Sequence, residues 1–324
     1  MKNHVTGLHH LTAIATDAQT NIDFYAGLLG LRLVKKTVNF DDPSAYHLYY
    51  GDETGTPGSI ITFFSWPGAS RGRVGSGQTT AITLSASSAS LDHWHERLDR
   101  QDVTAERRTR FGEDVLAFSD PDGIPIEIVA VDHDKRVGWT SAGIPTVHAL
   151  RGLHTAQLSV RDTTPTEDLL TGVMGYQLVR REGNRTRFEA FPRGTGRYVD
   201  VIAEPQTPRG IGGAGTFHHI AYRVATDAAE LEMQERLMAA HYHVSDVRDR
   251  DYFRSIYYRE RGGILFEIAT EVPGFTFDEP LESLGSALRL PKQLQSVRSQ
   301  IEAVLPTLQS ARQYGTNIDD RAPR

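Results

Sequence analysis

Two histidine doublets and one glutamate carry the chemistry that this sequence offers. His9 and His10 stand in "GLHHLTAIATD", residues 7–17, His218 and His219 in "GTFHHIAYRVATD", residues 215–227, and Glu267 in "GGILFEIAT", residues 262–270. Each stretch alternates as a half-buried strand does, so the two members of a doublet point to opposite faces. Parity puts His9 with Leu11, Ala13 and Ala15, and His218 with Ile220, Tyr222 and Val224, on surfaces suited to a covering helix. His10 then shares a face with Thr12 and Thr16, and His219 with Ala221 and Arg223, which makes the second histidine of each pair the cavity candidate. Glu267 has the opposite parity to Ile264, Phe266 and Ile268 and needs a partner, because an unpaired buried carboxylate is costly. Two neutral imidazoles and one carboxylate form a facial triad with open coordination positions. Non-haem Fe(II) suits it, and zinc, nickel or manganese could take the same ligands.

The elements that position these groups come from an internal repeat. Residues 7–37 lie without a gap over 152–182, residues 77–98 over 216–237, and "DGIPIEIVA" (122–130) over "GGILFEIAT". Each unit reads as an alternating strand, an Asp or Ser helix start, an amphipathic helix of about three turns, and three further strands. The expected fold is α+β: four βαβββ modules in two tandem pseudo-symmetric domains. The first, 1–133, holds modules one and two; the second, 150–272, holds modules three and four. In module four the strands are expected near 216–225, 242–248, 252–260 and 263–270. A polar stretch, 131–149, separates the halves, and a tail, 273–324, carries one helix over 290–308 and a disordered end after about residue 313. The positions equivalent to His10, His219 and Glu267 read as Thr155, Thr80 and Glu127, so one live and one degenerate site are expected.

The chain has 324 residues, a formal charge of -6 spread over both signs, and no cysteine. Without a long basic run it offers nothing to nucleic acid or an anionic membrane. No stretch approaches the ~18 apolar residues of a membrane span and no leader opens the chain, so a soluble, cytoplasmic protein with a small-molecule partner is expected. Disulfides and thiolate metal sites are excluded, which confines a metal to His, Asp and Glu. The glycine-rich segments 51–59 and 71–78 do not match a phosphate-binding loop and read as turns.

With these residues in place, the sequence resembles the vicinal oxygen chelate superfamily of glyoxalases, bleomycin-resistance proteins and extradiol dioxygenases. Within it, the sequence is similar to the hydroquinone-type ring-cleaving dioxygenases. The resemblance runs to about residue 308 through "LHHLTAIATDAQTNIDFYAGLLGLRLVKKTVNFDD", "YHLYYGDETGTPGSIITFF", "FHHIAYRV", "RDRDYFRSIYYRERGGILFEIAT" and "GFTFDEPLESLG". It implies the glyoxalase-like fold, Fe(II) on His10, His219 and Glu267, and an aromatic para-diol and O₂ as substrates. It also implies that His9, Thr12, His218, Arg250 and Tyr257 surround the bound diol and oxygen, so the first histidine of each doublet stands nearer the site than parity suggests. In that setting His218 is expected to accept a proton, Arg250 to stabilise an anion, and Tyr257 to hold the second ring hydroxyl. Self-association follows by analogy alone. Two alternatives stay open: a metal-dependent glyoxalase-type isomerase, and a non-catalytic binding protein of the bleomycin-resistance kind.

Overall fold

The computed structural model describes residues 5–191 and 196–314. Module one comprises β1 (Val5–Ala15), α1 (Ala18–Ile22), whose last turn widens over Asp23–Leu28, β2 (Arg32–Val38), β3 (Tyr46–Gly51) and β4 (Ile60–Ser65). Module two comprises β5 (Gln78–Ala86), α2 (Leu91–Asp99), β6 (Glu106–Arg110), β7 (Glu113–Ser119) and β8 (Pro125–Ala130). Module three comprises β9 (Leu153–Val160), α3 (Thr164–Asp168), widened over Leu169–Val173, β10 (Gln177–Glu182), β11 (Arg185–Glu189) and β12 (Tyr198–Ala203). Module four comprises β13 (Phe217–Val224), α4 (Asp227–Ala239), β14 (Arg248–Asp249), β15 (Arg254–Arg259) and β16 (Leu265–Thr270).

Local chemistry starts and stops these helices. The Asp17 carboxylate accepts from Thr20 N at 2.7 Å to open α1, and the Thr226 hydroxyl accepts from Ala229 N at 3.2 Å to open α4. Gly30 and Gly175, at φ +68° and +79°, end the helical segments of modules one and three in a conformation that a Cβ would penalise. Under α4, Met233 and Leu237 bury against Tyr222, Phe266 and Ile268, all fully buried. Each such side chain contributes roughly 1.5–3 kcal/mol by leaving water.

The modules form two eight-stranded sheets, ordered β14-β15-β16-β13-β1-β4-β3-β2 and β10-β11-β12-β9-β5-β8-β7-β6. Each sheet thus takes one module from each half of the chain, pairing module one with four and two with three. Antiparallel β1 and β13 form the seam of the first sheet, and β5 and β9 that of the second. The seam brings residues some two hundred positions apart into one wall.

Two elements are shorter than the pattern predicts. The second strand of module four, expected over 242–248, is confined to Arg248–Asp249 and an isolated bridge from Val244 to Tyr258, because Tyr242 turns inward on Tyr258. The tail helix, expected over 290–308, is a tight turn over Lys292–Val297 followed by α5 (Arg298–Val304). Pro291 admits a first turn but the main-chain bonding settles into the helix only later. The expected disordered end lies from residue 315 outside the described residues. Among the described residues no helix is long and apolar enough to cross a membrane.

Candidate metal centre

His10, His219 and Glu267 are buried, and one ligand atom from each lies within 4.8 Å of the others. His10 Nε2 and His219 Nε2 are 3.2 Å apart, and Glu267 Oε2 is 3.3 Å and 2.9 Å from them. Yet that carboxylate oxygen has no hydrogen-bond partner, although it is shielded from water. A buried anionic oxygen aimed between two nitrogens, and aligned for a bond to neither, fits a cation at the centre of the three. The donor set fits a divalent metal ion.

The outer bonds fix how the first imidazole presents itself. His9 Nε2 lies 3.0 Å from Thr270 O and His9 Nδ1 2.9 Å from His10 Nδ1. A carbonyl only accepts, so the His9 proton is on Nε2. Burial, reinforced by the neighbouring His10, lowers the His9 imidazole to about 3, so Nδ1 is bare and accepts from His10 Nδ1–H. His10 Nε2 therefore faces the centre as a free lone pair, because the outward nitrogen of the ring is occupied in donating to His9, as is usual for metal-binding histidines. His218 Nδ1 stands 2.8 Å from His219 Nδ1 in the same relation. With His219 Nε2 on a metal, His219 Nδ1–H donates, and His218 keeps its proton on Nε2, exposed to the cavity. His218 is also lowered to about 3, chiefly by burial, so it is a neutral donor there.

Strict parity did not foresee this, and the register explains why. Between β1 and β13, Leu8 pairs with Tyr222 but His10 with Ala221, and Thr12 pairs with His219 but Ala13 with Phe217. His9 and His218 are the extra residues of two β-bulges, one on each strand. A bulge adds a residue without a partner and re-aims its side chain. Both rings therefore turn from the helix-facing side, where alternation put them, toward their neighbours in each doublet, and His9 packs on Phe253 with ring centroids 5.0 Å apart.

All eight sequence-derived residues meet in one network. Thr12 Oγ1 is 2.9 Å from His219 Nε2. Tyr257 donates to Glu267 Oε1 at 2.9 Å, and Arg250 Nε donates to the Tyr257 oxygen at 3.2 Å. Burial, then the Glu267 charge, pushes the Tyr257 phenol up, so it keeps its proton. The inward bond of Arg250 contrasts with the surface ion pair that "DVRDRD" would allow; Asp41 stays 3.8 Å away. Tyr257 stands beside the carboxylate of the candidate metal centre.

Other residues of the site escaped the sequence reading. A cavity of about 410 Å³ opens on the triad and is walled by Phe40, Phe64, Trp66 and Phe253, with His47 and Tyr49 among its polar groups. Thr12 Oγ1 bonds Thr62 Oγ1 at 2.8 Å, Thr62 bonds His47 Nε2 at 2.8 Å, and His47 Nδ1 meets the Tyr49 hydroxyl at 2.9 Å. Burial holds His47 well below its usual range, hence neutral. His47 and Tyr49 are two apart on β3 and share a face, a signal present in "YHLYY".

In the second sheet the same frame carries different side chains. Its cavity is larger, about 830 Å³, and includes Glu127. There Glu127 pairs with Thr83 as Glu267 does with Ala221, which makes Ala81, one residue on from the expected Thr80, the structural counterpart of His219. Thr80 is the extra residue of the matching bulge on β5 and so the counterpart of His218, which leaves the gapless alignment one residue out along this strand. Arg110, the counterpart of Arg250, reaches Glu127 through both terminal nitrogens, and Gln157 donates to the same carboxylate at 2.6 Å. A guanidinium thus neutralises the carboxylate that in the first sheet faces two imidazoles.

Two curled sheets of paired βαβββ modules, with a His-His-Glu cluster between modules one and four, define a glyoxalase-fold protein with a candidate metal centre. The chain belongs to the Glyoxalase/Bleomycin resistance protein/Dioxygenase superfamily, whose profile matches residues 7–128 and 152–268. It is 44% identical over 304 residues to MhqO of Bacillus subtilis (strain 168), provisionally named a ring-cleaving dioxygenase, covering 93% of this chain and 96% of that protein. It is 34% identical over 313 residues to the chlorohydroquinone/hydroquinone 1,2-dioxygenase of Sphingobium indicum (strain DSM 16413 / CCM 7287 / MTCC 6362 / UT26 / NBRC 101211 / UT26S), covering 93% and 96%. A crystal structure of a provisionally named dioxygenase from Bacillus subtilis subsp. subtilis str. 168 superposes with a TM-score of 0.92 at 42% identity, covering 95% of this chain and 99% of that one. Glyoxalase I from Zea mays shares the fold at a TM-score of 0.61 and 12% identity, covering 86% and 96%.

Proposed function

We propose that this chain is an Fe(II)-dependent ring-cleaving dioxygenase of the extradiol type, opening a hydroquinone-type ring with O₂. The observation that carries the reading is the buried triad itself: two imidazole nitrogens and an unpartnered carboxylate oxygen converge beside a cavity walled by aromatic side chains. Iron held there would supply the redox chemistry that joins O₂ to the ring. The names of the relatives support a ring-cleaving reaction and, in one case, a hydroquinone.

The protein's own residues bind, orient and manage protons. Phe64, Trp66 and Phe253 offer faces to an aromatic ring. His218 Nε2–H is set to donate to an oxygen developing charge in the cavity, the reverse of the proton acceptor expected from sequence; it accepts a proton only after giving that one away. Arg250 stabilises anionic oxygen near Tyr257. Because the Tyr257 oxygen is engaged by Glu267, the far hydroxyl of a para-diol is assigned instead to Tyr49. Its oxygen, 2.9 Å from Nδ1 of neutral His47, keeps a lone pair with which to accept from that hydroxyl.

O₂ consumption by protein reconstituted anaerobically with Fe(II), on adding hydroquinone, tests the reading beside a His219→Ala control. Rapid uptake with a ring-opened product, absent from the variant, supports it. No uptake with hydroquinones or catechols, at one iron per chain, would exclude the activity and bring the isomerase reading forward.

A further inference from the structure

A smaller recess, about 250 Å³, shares His218, His219 and Leu265 with the metal cavity, so the two meet at the His218 imidazole. Their chemistries differ. Where the metal cavity is walled by aromatic rings, the recess is flanked by the guanidinium groups of Arg209 and Arg259 and has no acidic residue in its lining. Arg259 donates to Gly263 O at 2.6 Å, and among the described residues neither arginine has a carboxylate partner. Gly263, at φ +113°, lets Arg209 lie directly on the turn, since a Cβ would come within 2.4 Å of its terminal nitrogen.

A second observation points to a ligand. Thr79 lines the recess and is 2% exposed, and its hydroxyl has no hydrogen-bond partner. A buried hydroxyl left unmade costs stability, so such a group is usually answered by something bound. Two unpaired cations and an orphan donor, without an opposing acid, select a small carboxylate.

We propose that this recess is a carboxylate subsite in which Arg209 and Arg259 take the anionic group and Thr79 donates to it. The identity of its occupant rests on the ring-cleaving reading. Opening an aromatic diol keeps both atoms of O₂: the hydroxylated ring carbon becomes a carboxyl group and its neighbour an aldehyde. The carboxyl proton passes to water, and no other oxidant or reductant is consumed. The negative charge exists only after the ring has opened, so the recess draws the product's acid away from the metal past His218. A carboxyl-bearing aromatic substrate would present the same group.

Calorimetric titration of the metal-loaded protein without O₂, using cis,cis-muconate as a ring-opened probe, tests the subsite. Saturable binding is expected in the wild type, weakened roughly tenfold or more by Arg209→Gln and by Arg259→Gln, and about fivefold by Thr79→Val. Absence of binding at millimolar probe, or affinity unchanged in both arginine variants, overturns the proposal. Steady-state rates separate the sources. A product site predicts weaker product inhibition in Arg209→Gln with kcat/KM for hydroquinone and 2,5-dihydroxybenzoate unaltered. A selective loss on 2,5-dihydroxybenzoate overturns the product assignment and gives the site to the substrate. Because the titration needs no turnover, arginine-dependent binding in a protein that consumes no O₂ would retain the subsite and remove the dioxygenase reading. The opposite pattern would do the reverse.

Discussion

His9 Nε2 donates to the carbonyl oxygen of Thr270 at 3.0 Å, and this bond across the sheet decides which nitrogen of His10 faces the candidate metal centre bare. Replacing His9 with phenylalanine keeps the packing on Phe253 but removes the acceptor that holds His10 Nδ1–H. Metal affinity, measured by competition with a chelator, is expected to fall about 10–100-fold. Affinity equal to the wild type would mean that the doublet does not set the tautomer.

The phenol of Tyr257 links Glu267 to Arg250. Tyr257→Phe removes both bonds without touching the imidazoles. The expected outcome is one metal per chain by elemental analysis, with kcat lowered roughly 10–100-fold, the scale of a charge-assisted hydrogen bond. Lost metal with normal turnover per bound ion would assign Tyr257 a structural role.

In the second sheet, Arg110 is the counter-ion of buried Glu127. Arg110→Met leaves that carboxylate without its cation and should destabilise the fold by about 3–5 kcal/mol in urea unfolding. Adding Glu127→Gln should recover much of the loss. Metal stoichiometry should stay unchanged in both variants, because the cluster lies in the other sheet; a change would couple the two centres.

Asp120 gives the stability a distinct pH dependence. Its carboxylate accepts from Tyr25 and from the main chain of Asp122 and Ile124, but burial raises it to about 6. The folded state therefore holds this proton more tightly than the unfolded chain, and stability falls as pH rises from about 4 to 6. Asp120→Asn keeps the two main-chain bonds through its oxygen, donates its amide to the Tyr25 oxygen in place of the third, and cannot ionise. Its advantage over the wild type should grow across that window to at most roughly 3 kcal/mol and stay constant above it. Unfolding curves for both proteins at several pH values check this; a constant difference between them would refute it.

Much of the candidate site was legible along the chain. The repeated Gly-Leu-His start, the Asp and Ser helix starts and the glycine stops are local signals, and they mark four βαβββ modules before any contact is known. Parity also selected His10, His219 and Glu267, since strand alternation holds wherever the register is regular. His47 and Tyr49 went unread although they alternate on β3, because a face means little until the strand that closes the cavity is known.

What lay beyond the chain's local pattern was register between strands far apart in sequence. The bulges that turn His9 and His218 inward exist only in the pairing of β1 with β13, and the register that makes Ala81 the counterpart of His219 only in the pairing of β5 with β9 and β8. The same long-range pairing joins module one to module four, and it brings His10 to His219 and Glu267. Alternation is a property of one strand's backbone, whereas a bulge is a mismatch between two, so only the assembled sheet could assign these residues.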